Sequence, residues 1–89
     1  MQYEWDENKR AANLARHNVD FVAVVDFEWD TAFEAIDDRF NYAEERWIAL
    51  GFIGKRLHVM VYTCRAETIR IISLRRANKR EKKYYETQT

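Results

Sequence analysis

The chain has 89 residues, 47% hydrophobic and 34% charged, which suits one small core and is too apolar for a disordered chain. Fifteen basic and fifteen acidic residues cancel, so the overall charge points to no polyanion. The single Cys excludes an internal disulfide, and with only two His it argues against a structural zinc site. No apolar run approaches the ~20 residues that span a bilayer, and Glu4, Asp6 and Glu7 do not suit a signal peptide. The expectation is a soluble cytoplasmic protein forming one domain over residues 1–89.

Gln2-Tyr3-Glu4-Trp5 alternates polar and aromatic residues, as a short strand does. Asp6 then caps a helix over 7–16, with Ala11, Leu14 and Ala15 on one face. His17-Asn18 ends it, since Asn tolerates the left-handed conformation. Asp20 caps a second helix carrying Phe21, Val24, Val25 and Glu28, which stops before Trp29-Asp30-Thr31. Strands follow at 33–37 and 46–53, then a turn at Gly54-Lys55. The strand after it sets Leu57, Val59 and Val61 on one face and His58, Met60 and Tyr62 on the other. In the strand over 68–74, simple alternation puts Ile69 and Ile71 on one face and Arg70, Ile72 and Leu74 on the other. Asn78 with Glu81 three residues later reads as the capping box of a last helix. Short links favour antiparallel meander pairing. The order is β-α-α-β-β-β-β-α, an α+β fold with two N-terminal helices and a C-terminal helix covering one face of a twisted antiparallel sheet.

Charge is sorted along this order. Residues 20–45 hold nine acids and one base, Arg39; residues 65–83 hold eight bases and two acids, Glu67 and Glu81, a surplus of six. That surplus is either one face for a polyanion or a solvated helix end neutralised by the acidic half.

Five segments together resemble the BrnT family, toxins of the BrnT/BrnA type II toxin–antitoxin systems. They are EWDENK at 4–9, N-x-x-R-H from Asn13 to His17, EERWIALG at 44–51, VYTCR at 61–65 and RIISLRRANKRE at 70–81. The resemblance implies a small RelE-like toxin domain. It implies a ribonuclease that cleaves RNA and slows translation, with no organic cofactor and no metal. It also implies a hetero-oligomer with a BrnA-type antitoxin, through which operon DNA is bound. Two positions depart from the family pattern: Asn18 stands where a Gly is usual, and Cys64 where a polar residue is.

A ribonuclease of this kind must deprotonate a ribose 2′-OH, protonate the 5′-oxygen and neutralise a phosphorane. Guanidinium suits the last task. Arg75, which the resemblance places in the family's I-S-x-R element, is the first candidate for holding phosphate. Arg76 follows it, and Arg65 sits beside it if the last two strands form a hairpin. A surface salt bridge or a turn is the plainer role for each. His17 titrates near neutrality and could move a proton, or simply bond the end of its helix. Glu67 in the last hairpin turn and Tyr85 on the last helix are further proton-transfer candidates; turn chemistry and core packing are their alternatives. Glu81 reads first as a cap, and in a basic pocket its pKa would be depressed. Lys79, Arg80, Lys82 and Lys83 either bind RNA phosphates or solvate the helix. His58 reads as structural, and Trp5, Trp29 and Trp47 as core or partner anchors. There is no Gly-rich phosphate loop and no Ser-His-Asp order. Two rival readings keep the same residues: a non-catalytic module binding nucleic acid or antitoxin through the basic segment, and an inactive subunit that only holds an antitoxin.

Overall fold

Asp6 starts α1 (Glu7–His17) by accepting from the backbone N–H groups of Asn8 at 2.7 Å and Lys9 at 3.2 Å. These are two of the four donors that a helix start leaves unpaired. Asn18 ends the helix with φ 58°, its N–H bonded to the Leu14 carbonyl, as its tolerance of positive φ anticipates. The computed structural model, which describes residues 1–39 and 43–88, then departs from the expected second α-helix. Phe21–Asp26 is a 3₁₀ helix, and a 3₁₀ turn follows at Trp29–Thr31. The reason lies in the spacing. Phe21, Val24 and Phe27 are all buried, while Val25 is 70% exposed. A repeat of three is that of the 3₁₀ helix, whereas the α-helix repeats at 3.6.

Strands β2 (Phe33–Asp37), β3 (Arg46–Ile53), β4 (Arg56–Arg65) and β5 (Thr68–Arg76) form the expected antiparallel meander, and α2 (Lys79–Gln88) closes the chain. The first strand, β1 (Gln2–Trp5), corrects the purely antiparallel expectation. It pairs parallel with β5, from Gln2 opposite Thr68 to Trp5 opposite Ile71, in a sheet ordered β1-β5-β4-β3-β2.

The helices do not share one face. The 3₁₀ helix lies over Ala49, Met60, Tyr62, Ile69, Ile71 and Leu74, and α1 packs against β5 and the 3₁₀ helix. Tyr85 of α2 packs with Leu50, Leu57, Val59 and Ala77 from the other side. Each strand thus has two faces to bury, and β3 and β4 read as near-continuous apolar runs for that reason. The helix α1 is unusual in what it buries. Leu14 is 39% exposed and Ala11 and Ala15 are exposed, while polar Asn13 is buried at 7%.

Simple alternation fails in β5. Val61 pairs with Ser73 and Tyr62 with Ile71, so Ile72 is an extra residue without a partner on β4. Such a bulge shifts every later side chain to the other face. Leu74 therefore joins Ile69 and Ile71 in the core, and Arg75 turns to the face that α2 covers. Gly51 is required where Phe27 crosses β3. A Cβ there would clash with the Cζ atom of that ring and lie 2.9 Å from both Cε atoms. Among the described residues no helix is long and apolar enough to cross a membrane.

Candidate active site at the free edge of the last strand

Only half of β5 has a strand on each side. β1 covers Thr68–Ile71, Ile72 is the bulge, and Ser73–Arg76 pair with β4 alone. An uncovered strand edge presents unpaired N–H and C=O groups. Asn13 of α1 answers two of them. Its Oδ1 accepts from the Leu74 N–H at 3.2 Å, and its Nδ2 donates to the Leu74 carbonyl at 2.7 Å and the Val19 carbonyl at 2.9 Å. The amide acts as one residue of a missing strand. It fixes the C-terminal turn of α1, and with it His17, against the edge beside Ser73.

His17 is held below the usual imidazole range, first by burial and then by the positive charges of Arg16 and Arg75. Both effects favour the uncharged imidazole, the form able to accept a proton. Arg75 reaches from the other side of the strand. Its Nη1 and Nη2 donate to Glu81 Oε1 and Oε2 at 2.8 and 2.7 Å, a bidentate pair. Glu81 Oε1 also accepts the Asn78 N–H at 2.9 Å, and Asn78 Oδ1 accepts the Glu81 N–H at 2.8 Å. The capping box is thus present, and the same carboxylate orients the guanidinium. The hydrogen bond to Arg75 pulls the Glu81 pKa below the normal carboxylate value. Arg39 also lies close enough for its charge to act on Arg75. In the sequence it stood out only as the lone base of the acidic segment, and its side chain bonds Asp37.

The other candidates are not gathered at this point. The last two strands do form a hairpin, but Arg65 pairs with Thr68 at the turn end, while Arg75 pairs with Val59. Six residues of β4 separate the two positions, roughly 20 Å of strand. Arg65 instead bonds Glu44 at 2.9 Å. Glu67 is exposed in that same distant turn. Arg76 sits opposite His58, so alternation turns it to the face away from Arg75. His58 is buried, with Nδ1 2.9 Å from the Arg56 carbonyl. Tyr85 is buried at 7%, stacks edge-on against Phe52 and donates its hydroxyl to the Thr31 carbonyl at 2.7 Å. Lys79, Arg80, Lys82 and Lys83 are exposed on α2. Among the described residues no three His, Cys, Asp or Glu side chains group as metal ligands.

Fold and edge together define a small α+β domain with His17 and Arg75 near the half of β5 that β1 leaves uncovered. Residues 5–81 match the family model described as ribonuclease toxin, BrnT, of type II toxin-antitoxin system. The chain belongs to that family, whose toxins act on RNA and are paired with a protein antitoxin. A search of curated proteins finds no match to the chain.

Proposed function

We propose that this toxin is a metal-independent endoribonuclease whose reacting centre lies at the β5 edge, between His17 and Arg75. The carrying observation is that a ribonuclease-toxin chain places His17 against the β5 edge beside Ser73, within the electrostatic reach of a guanidinium that Glu81 holds in place. His17 takes the proton of the ribose 2′-OH as its oxygen bonds to phosphorus. Arg75 stabilises the charge that gathers on the phosphorane oxygens. The P–O5′ bond breaks, solvent supplies the proton to the leaving 5′-oxygen, and the products are a 2′,3′-cyclic phosphate and a 5′-hydroxyl. Glu81 keeps the Arg75 fork aimed, and the α2 lysines with Arg80 attract the RNA backbone. In the cell the single RelE-like domain of residues 1–89 inhibits translation in the cytoplasm. A BrnA-type antitoxin neutralises it in a hetero-oligomer that binds operon DNA through the antitoxin.

The test is cleavage of RNA in EDTA by the wild type, Arg75→Ala and His17→Gln, with folding checked by circular dichroism. Cleavage by the wild type to cyclic-phosphate ends, lost in both variants while RNA stays bound, is the expected result. The wild-type rate should rise with pH through a value below 6.5 and then level, because only neutral His17 accepts the proton. RNA bound but left intact by the wild type would favour a non-catalytic binding module, a reading that the closed Arg75–Glu81 pair also suits.

A further inference from the structure

We infer that the groove between α1 and the free edge of β5 seats the RNA strand flanking the scissile phosphate, with Lys9 and Arg16 as its phosphate contacts. This rests on the ribonuclease reading above and extends it to residues that carry no part of the chemistry. The groove has a volume of about 670 Å³ and runs along α1 to His17, with Ile72 and Ser73 on its β5 side. No acidic residue lines it. Lys9 and Arg16 are seven residues apart, so they stand on one helix face about 10 Å apart along the axis. That spacing suits separate phosphates of one strand. Between them Ala12 and Ala15 keep the wall low, so a polynucleotide can approach the helix closely.

Charge pairing separates these two cations from the third base of α1. Arg10, on the same helix, is taken up by Glu7 and Asp20, and Arg65, Arg70 and Arg75 are each bound to a carboxylate. Among the described residues neither Lys9 nor Arg16 has such a partner. The uncompensated cations of α1 thus face the groove that ends at His17, which is the arrangement expected where a polyanion completes the pairing. The bulge at Ile72 and the early end of β1 leave this stretch of edge open.

The experiment is fluorescence anisotropy with a short single-stranded RNA whose 2′-O-methyl groups block cleavage, titrated across a range of salt. The Lys9→Gln/Arg16→Gln variant is compared with the wild type. A Lys55→Gln/Arg56→Gln variant, which removes equal charge at the β3–β4 turn, serves as control. Losing two single-strand phosphate contacts should flatten the salt slope by about 1.4, which is roughly 25-fold weaker binding at 0.1 M salt if the curves meet near 1 M. The control should keep the wild-type affinity and slope. Unchanged binding by the groove variant, or an equal loss in the control, overturns the groove while leaving the ribonuclease reading intact. No RNA binding by the wild type overturns both.

Discussion

Replacing Asn13 by Ala should cost more stability than any exposed substitution on α1, although it removes only one small side chain. The change deletes three hydrogen bonds and leaves the Leu74 N–H, the Leu74 carbonyl and the Val19 carbonyl without that partner. Asn13 is 7% exposed and Leu74 is fully buried, so water reaches these groups poorly. An unpaired buried polar group costs about 1–3 kcal/mol. With partial relaxation the total is about 4 kcal/mol, against roughly 4–13 kcal/mol for a domain of this length. At a urea m-value of about 1.3 kcal/mol/M the midpoint should fall by about 3 M. Asn13→Asp should be at least as damaging, since it puts a carboxylate opposite two carbonyl oxygens. Asn8→Ala on the exposed side of α1 should stay within about 0.5 kcal/mol of the wild type. Urea unfolding followed by tryptophan fluorescence measures all three. A midpoint loss below about 0.5 M for Asn13→Ala, at unchanged m, would refute the claim that this amide substitutes for a strand.

Three further outcomes are expected. Ala66 holds φ 54° in the β4–β5 turn, so Ala66→Gly should raise stability by about 0.5–1 kcal/mol, read as a Tm gain of about 4 °C. Gly51→Ala should destabilise by about 1–3 kcal/mol, because the Phe27 ring leaves no room for a Cβ; an unchanged Tm would contradict that packing. Glu81 has its carboxyl pulled below the usual 4.5 by Arg75, so the pair's stabilisation is complete above pH 4.5 and is lost as pH falls through the folded value. Arg75→Met should therefore show a shallower loss of stability than the wild type as pH falls below 4.5, and parallel curves would count against the pair.

The elements that were legible from residue order share a local cause. Asp6, Asn18 and the Asn78–Glu81 box act on backbone within four residues, and each does what its chemistry suggests. What escaped depends on distant partners or on one-residue shifts. Phe21, Val24 and Val25 fit an α-helix on paper, and only the burial of Phe27 with the first two reveals a period of three. The Ile72 bulge cannot be seen in a run of apolar residues, yet it decides which face Arg75 takes. Arg65 and Arg75 belong to one hairpin, and their register at opposite ends keeps them apart. Of the site, His17 and Arg75 were visible by residue type. Asn13 was noticed only as a motif letter, and its bond to a backbone 61 residues away has no sequence signal.

The parallel pairing of β1 with β5 has a consequence for synthesis. Gln2 waits for Thr68, so β1 cannot bond to its neighbour until 66 more residues are joined. At about 5–20 residues per second that is a delay of roughly 3–13 s. Arg75 and the Asn13 anchor on Leu74 come later still. A nascent chain therefore carries α1 without the edge it docks against, and His17 without its cation. Residues 2–17 thus wait on residues 68–75 before this part of the fold can close.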